Sequence, residues 1–190
     1  PKAKMAMYLN ECRRMGIKAP PPDVNSSIGF FTAVGPDIRF GLGAVRNVGM
    51  NVVELIRGAR EEKGAFTSFG DFLKKIPLGA TNKRTIESLI KAGAFDSLGA
   101  TRRALMEVHE AMIDNAVSEK RNEANGQVGF DFDSLWDEPE EVHDIPARPE
   151  WAKRDKLAFE RDMLGLYVSD HPLAGLEVEL AKHASTTILD

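Results

Sequence analysis

Apolar positions recur at helical spacing over most of the chain, which predicts a mostly α-helical fold. Several stretches end at clear stop signals, such as Gly16 followed by the triple proline 20–22. Thr101 is a suitable N-cap for the longest stretch. The predicted helices cover residues 5–15, 50–60, 69–76, 86–90 and 101–122, with a last helix from near Pro149 or Trp151 to His171-Pro172.

A different pattern interrupts the helices early in the chain. Residues 29–34 and 38–42 are rich in residues that favour strands, and Gly35-Pro36-Asp37 between them is a turn signal. These features predict a short β-hairpin near residues 29–42, next to an otherwise small helical domain.

Two short turns separate successive helical stretches between residues 38 and 99. The first is Arg46-Asn47-Val48-Gly49 and the second is Leu78–Asn82. A glycine-containing turn lets the backbone approach a phosphate, and the following helix offers free N–H groups and a positive dipole end. The pattern indicates tandem helix-hairpin-helix units; the alternative is a pair of ordinary helical hairpins.

Individual residues have distinct expected roles in these turns. Asn47 stands where a glycine is usual and tolerates a positive φ. Val48 should fill the seam between the helices, Gly49 should open the next helix, and Asn82 should cap the later one. The candidate DNA-binding residues are Arg46, Asn47, Val48, Gly49, Asn82, Lys83 and Arg84.

The charge distribution favours a nucleic-acid partner for this region. Residues 38–103 carry twelve basic and six acidic side chains, although the whole chain has a net charge of −4. A local excess of this kind supports phosphate contact. Residues 131–150 carry eight acidic side chains against Arg148 alone, and the region 125–150 has no period, so it is expected to be an acidic flexible linker.

Catalytic and metal-binding patterns are weak. Asp131 and Asp133 would share one face of a strand, but they lie in the acidic stretch, and two-metal catalysis needs carboxylates on a rigid sheet. The histidines have no ligand spacing, so no metal or cofactor is expected here. The single Cys12 favours a reducing compartment, and no apolar run reaches membrane-spanning length. A cytoplasmic, membrane-free location is therefore expected.

Four blocks in order carry a family resemblance: MAMYLNECRRMGIKAPPPDVN, IRFGLGAVRNVG, NKRTIESLIKAGAFDSLG and FERDMLGLYVSDHPL. They resemble the bacterial replicative DNA polymerase III alpha subunit, most closely its actinobacterial form. The resemblance implies the end of the fingers domain at 1–37, the tandem helix-hairpin-helix domain at 38–124, the linker at 125–150, and a helix at 151–190 leading toward an OB-fold domain. The polymerase palm with its Mg²⁺ ligands would lie outside this chain, so the chain alone is expected to be inactive.

The resemblance also implies a clamp-binding peptide in the linker. Gln127, Phe130 and Phe132 approximate the family pattern, although Asp131 displaces the last aromatic residue by one position. The alternative is that these aromatic residues pack back on the helical core. The expected partners are therefore duplex DNA, the beta sliding clamp and the other domains of a DNA-directed DNA polymerase. A competing hypothesis is a module that packs against those domains without touching DNA.

Overall fold

The computed structural model describes residues 2–124 and 145–170. Gln127, Phe130 and Phe132 of the predicted clamp peptide lie outside these residues, as do Asp131 and Asp133. The described part is mostly helical, as predicted. Its elements are α1 (Lys2–Arg14), β1 (Thr32–Val34), β2 (Asp37–Arg39), α2 (Met50–Lys63), α3 (Phe69–Lys75), α4 (Lys83–Ala92), α5 (Arg102–Ala124) and α6 (Lys153–Leu164), with 3-10 turns at Leu42–Ala44, Leu78–Ala80 and Asp96–Leu98.

The predicted β-hairpin is present but short. Strands β1 and β2 are antiparallel, with Thr32 opposite Arg39 and Val34 opposite Asp37. Gly35 in the connecting turn has a φ of 59°, a conformation that glycine adopts without a steric cost. After the hairpin the chain is extended at Gly41, and the Leu42 N–H donates to the Ile28 carbonyl at 2.8 Å.

A core of aromatic and branched side chains joins α2, α3, α4 and α5. Phe95, just after α4, lies edge-on to Phe69 and Phe72 of α3, with ring centroids 5.1 and 4.8 Å apart. Phe66 packs against Phe72 in the same manner. Edge-on aromatic pairs add about 0.5–1.5 kcal/mol beyond the burial of their area, so this cluster fixes α3 against α4.

The element before the first turn differs from the expected helix. Residues 42–44 form only a single 3-10 turn. A Cβ on Gly41 would lie 2.5 Å from the Phe30 carbonyl carbon, so this segment runs directly against the backbone of residues 29–30. Its N–H groups already bond to the Ile28 and Gly29 carbonyls. Those hydrogen bonds compete with helix formation, which explains why the first unit has a shortened first helix.

The last helix is shorter than predicted. Helix α6 ends at Leu164, because Gly165 adopts a left-handed conformation with a φ of 83°. Leu166 and Tyr167 therefore follow the helix and do not lie on it. The chain then folds back, and the Ser169 N–H donates to the Glu160 carboxylate at 2.7 Å.

Residues 145–150 are also attached to the helical body, which corrects the predicted extent of the linker. Thr101 Oγ1 donates to the Arg148 carbonyl at 3.0 Å. The Glu150 carboxylate accepts hydrogen bonds from the N–H groups of Arg102 and Arg103, at 3.1 and 3.2 Å, and thereby caps α5. Of the predicted linker, only residues 125–144 lie outside the described structure.

A buried ion pair connects α6 to the rest of the fold. Arg102 is 2% exposed and makes a two-point contact with Asp96, at 2.9 and 2.7 Å. Its Nη1 atom lies 3.7 Å from Oε2 of Glu160, which is fully buried in α6. Burial opposes the charged form of Arg102, but hydrogen bonds and charge from Asp96, with Glu160 and Glu150, raise its pKa. Arg102 therefore stays charged beside Glu160, and this contact connects α6 to the turn after α4.

Candidate nucleic-acid interface

The first turn has the backbone geometry that its sequence predicted. Asn47 has a φ of 64°, and within residues 2–124 and 145–170 it is the one residue besides glycine with a positive φ. Val48 is buried between the helical elements. Gly49 is the N-cap of α2 and is extended, with a φ of −79° and a ψ of 153°. The positive φ of Asn47, the burial of Val48 and the position of Gly49 at the start of α2 are thus confirmed.

The N-terminus of α2 is open. The Gly49 carbonyl accepts from the N–H groups of Val52 and Val53, at 3.0 and 3.2 Å. Within the described parts of the chain, the N–H groups of Gly49, Met50 and Asn51 have no hydrogen-bond acceptor. Gly49 supplies no capping side chain. Three free donors at the positive end of a 14-residue helix are arranged to receive an anion.

The second turn is more occupied by the protein itself. Asn82 caps α4, and its side-chain oxygen accepts from the Thr85 N–H at 3.2 Å. Lys83 Nζ donates to Asp114 Oδ2 of α5 at 2.7 Å, and this hydrogen bond to the carboxylate raises the pKa of Lys83. The exposed Arg84 makes no side-chain contact with the described residues. Arg84 is therefore the available cation at this turn.

Each turn packs against the second helix of the other unit. Asn47 Nδ2 donates to Ser88 Oγ of α4 at 3.0 Å, and Thr85 Oγ1 donates to the Asn47 carbonyl at 3.1 Å. In the opposite direction, a Cβ on Gly79 would lie 3.2 Å from Leu55 Cδ1 of α2. This reciprocal packing brings the two units into one body and fixes the direction in which the first turn faces.

Fewer basic side chains are available to bind DNA than the sequence suggested. Most of the twelve basic side chains between residues 38 and 103 bind carboxylates or backbone carbonyls of the protein. Arg46 Nη1, for example, lies 3.0 Å from Asp162 Oδ1. The residues in such contacts are Arg39, Arg46, Arg57, Arg60, Lys63, Lys75, Lys83, Lys91, Arg102 and Arg103. Backbone donors at Gly49–Asn51 are therefore the stronger feature of the site.

Three residues that shape this surface were not predicted from the sequence. Asp162 lies 116 positions from Arg46 in the chain, and Ser88 and Thr85 support Asn47 across 41 and 38 positions. No local motif marks these residues, because each acts through a long-range contact. The sequence carried no signal by which they could have been found.

Other functions receive no support from the described residues. Among residues 2–124 and 145–170, no three His, Cys, Asp or Glu side chains converge as metal ligands would. His109 is buried in α5 with its Nδ1 atom 2.9 Å from the Met106 carbonyl oxygen. None of the helices over the same ranges is long and apolar enough to cross a membrane.

Comparison with known proteins identifies relatives over the whole chain. A sequence profile of the helix-hairpin-helix motif matches residues 16–105. The DNA polymerase III subunit alpha of Saccharopolyspora erythraea is 53% identical over 194 residues, covering 100% of this chain. The same subunit from Mycobacterium tuberculosis is 50% identical over 98% of this chain, and that from Thermus aquaticus is 41% identical over 90%. The chain spans 16% of the first two relatives and 13% of the third.

Proposed function

The chain belongs to the DNA polymerase III alpha subunit family as its helix-hairpin-helix region, and we propose that it holds duplex DNA by its phosphates without reading the base sequence. The free N–H groups of Gly49, Met50 and Asn51 are the observation that carries this proposal. A phosphate on these donors satisfies groups that are otherwise left to water, and it lies at the positive end of α2.

Backbone donors suit a protein that must move along DNA. An N–H group at a helix end binds any phosphate in the same way, so the contact carries no information about base sequence. Because few basic side chains are free, we expect weak binding, on the order of 10⁻⁴ to 10⁻⁶ M at physiological salt. In the parent protein, such a contact would hold the duplex while nucleotidyl transfer takes place in another domain.

Substitution of Gly49 by valine tests this proposal. A Cβ at residue 49 would meet only the end of the flexible Asn51 side chain, and the φ of −79° accepts any residue, so the fold should tolerate valine. The branched side chain would nevertheless cover the free N–H groups. We expect Gly49→Val to weaken duplex binding in fluorescence anisotropy at low salt, with unchanged circular dichroism.

A matched control exists within the same helix. Gly58 is exposed, and a Cβ placed there would meet no atom within 4 Å. Gly58→Val therefore adds the same side chain to α2 far from its N-terminus and should leave DNA binding unchanged. If Gly49→Val binds as well as the parent chain, the first turn is not the contact point.

The competing function is packing against other polymerase domains without DNA contact. Its distinguishing property is the response to salt. Binding to phosphates releases counterions, so log K falls linearly with log salt, with a slope of about −0.9 for each phosphate contacted. Absence of measurable duplex binding at 20 mM salt would favour the packing function.

The linker supplies a second proposed contact, with the beta sliding clamp. Gln127, Phe130 and Phe132 provide one amide and two apolar anchors of the kind that seats a short peptide in a groove. Tethering on DNA raises the effective concentration of such a peptide, so modest affinity is sufficient. The region would then attach the enzyme to its clamp in addition to holding the duplex.

The parent protein is proposed to be a DNA-directed DNA polymerase of the cytoplasm, with Mg²⁺ in its palm. The chain itself is proposed to lack this activity. Primed template with nucleotides and Mg²⁺ should show no extension when this chain is the only protein added. Extension that disappears in Asp131→Asn or Asp133→Asn would instead assign the chemistry to those two carboxylates.

A further inference from the structure

An exposed phenylalanine stands beside the first turn. Phe30 is 71% exposed, whereas its neighbour Phe31 packs edge-on against the buried Phe40, with ring centroids 4.5 Å apart. No aromatic or cationic group of the described residues stacks on the Phe30 ring. Exposing a whole aromatic ring to water is unfavourable, which makes Phe30 a candidate for a contact outside the chain.

Phe30 is held close to the open end of α2. Met50, the first residue of α2, lies directly over Gly29, where any Cβ would collide with the Met50 side chain. A Cβ on Gly43 would lie 2.8 Å from Met50 Sδ and 2.7 Å from the Gly29 carbonyl oxygen. Three segments thus meet at this point, and Phe30 follows the residue that Met50 covers. The backbone next to Phe30 is therefore joined to the first residue of α2 through Gly29 and the Met50 side chain.

The chemistry of this surface matches a nucleotide better than a protein side chain. A phosphate accepts hydrogen bonds from the free N–H groups, and a flat base covers an aromatic ring. An apolar protein surface on Phe30 and Met50 would instead cover those N–H groups without offering acceptors, and unpaired buried donors are costly. A base inside a duplex is stacked on both faces, so the base that covers the ring must be unpaired and free to turn toward it.

We propose that Phe30, which follows the residue that Met50 covers, stacks against an unpaired base of a strand whose phosphate lies on the N–H groups of Gly49–Asn51. This proposal rests on the phosphate contact proposed above and names the form of DNA that the site prefers. The preferred ligand is a duplex that continues as a single strand. The surface would then hold the chain at the place where paired DNA becomes unpaired.

The test compares two DNA ligands with the full 190-residue chain. One is a blunt duplex, and the other is the same duplex with a ten-nucleotide single-stranded extension. The parent chain should bind the extended duplex more tightly than the blunt one. Phe30→Ala should lose at least about five-fold of the affinity for the extended duplex, the lower end of what stacking on one base contributes. Its affinity for the blunt duplex should stay within two-fold of the parent.

Further variants separate stacking from general apolar contact. Phe30→Trp retains a flat ring and should retain the preference, whereas Phe30→Leu is apolar but not flat and should lose it. Tyr8 is a matched control, because it is 60% exposed on α1. Tyr8→Ala should change neither affinity. Gly49→Val should weaken binding to both ligands, because it removes the shared phosphate contact.

Specific results overturn the proposal. The proposal is wrong if the parent chain binds the two ligands with equal affinity. It is also wrong if Phe30→Ala still prefers the extended duplex, or if it loses affinity for both ligands equally. A surface reserved for another protein domain would give the first of these results. If the parent chain binds neither ligand, the phosphate contact itself is wrong. If it binds both and only the preference is absent, the phosphate contact survives and the role of Phe30 is rejected.

Discussion

Arg46 Nη1 lies 3.0 Å from Asp162 Oδ1, so the arginine that opens the first turn is held by helix α6. The Arg46 N–H also donates to the Met163 carbonyl at 2.9 Å. Both side chains of the ion pair are more than half exposed, at 56% and 60%. An exposed pair of this kind contributes only about 0–1 kcal/mol, so a DNA phosphate can compete with Asp162 for the guanidinium.

Removing the Asp162 charge should therefore strengthen DNA binding. We expect Asp162→Asn to raise duplex affinity about two- to five-fold at low salt, corresponding to about 0.5–1 kcal/mol. Adding Arg46→Gln should cancel the gain. Glu61→Gln is a suitable control, because it changes the net charge equally but affects Arg57 on α2. An equal gain in that control would indicate a general charge effect, without a role for Arg46.

The second turn allows a parallel measurement. Asp114 holds Lys83 at 2.7 Å. If the N-terminus of α4 also contacts DNA, Asp114→Asn should increase duplex affinity by releasing Lys83, and Arg84→Gln should decrease it. Anisotropy titrations of both variants against the parent chain provide the measurement. No change in either variant would limit DNA contact to the first turn.

The conformation of Asn47 makes a prediction about stability. Its φ of 64° strains any residue with a Cβ, and its side chain bonds to Ser88. Asn47→Gly should lose only the hydrogen bond, about 1 kcal/mol. Asn47→Ala should lose the bond and add a left-handed strain of about 1–2 kcal/mol. Urea unfolding should rank the parent above the glycine variant and the glycine variant above the alanine variant; the reverse order of the two variants would contradict the strain.

Glu150 gives the fold a defined dependence on pH. Burial alone would raise the pKa of its carboxyl, but N–H donors from Trp151, Arg102 and Arg103, with the charge of Lys156, lower it below the ordinary 4.5. A lowered folded-state pKa contributes stability that is fully present above pH 4.5 and is lost as the pH falls through the folded value. Acid should therefore weaken the cap on α5.

Glu150→Gln measures this contribution. At pH 7 the variant should be less stable than the parent by about 0.3–1 kcal/mol, the usual value of an anion at a helix N-terminus. The difference should shrink as the pH falls below 4.5. Glu62→Gln on the exposed side of α2 is the control for the removal of one carboxylate charge. A constant difference between Glu150→Gln and the parent at pH 3 and pH 7 would exclude the charge as its cause.

The clamp peptide can be tested apart from the rest of the chain. Calorimetry of the cognate clamp with a peptide of residues 123–137 should show modest binding, because ordering a free peptide costs free energy. Gln127→Ala and Phe132→Ala should each reduce it, and Asp131→Phe should improve it by restoring the usual spacing. No heat at high micromolar peptide, with a control peptide that binds, would mean that this segment does not contact the clamp.

Local pattern was sufficient for most of the helices, for the hairpin near residues 29–42 and for the backbone of the first turn. These features depend on contacts between residues close in the chain. Asn47 adopts a positive φ, Gly49 is the N-cap of α2, and Asn82 is the N-cap of α4. Each of these roles follows from the residue type and its immediate neighbours in the chain. The family resemblance likewise rests on ordered local blocks.

Tertiary packing decided which of these features remain available to a ligand. The excess of basic residues between 38 and 103 was visible as composition, but Asp162, Asp114 and backbone carbonyls distant in the chain occupy most of those side chains. Packing also reduced the first helix of the first unit to one turn, since Gly41 lies against the backbone of Phe30. Burial and ion pairing depend on contacts between residues that are distant in the chain. The local sequence pattern does not show which residues will make those contacts.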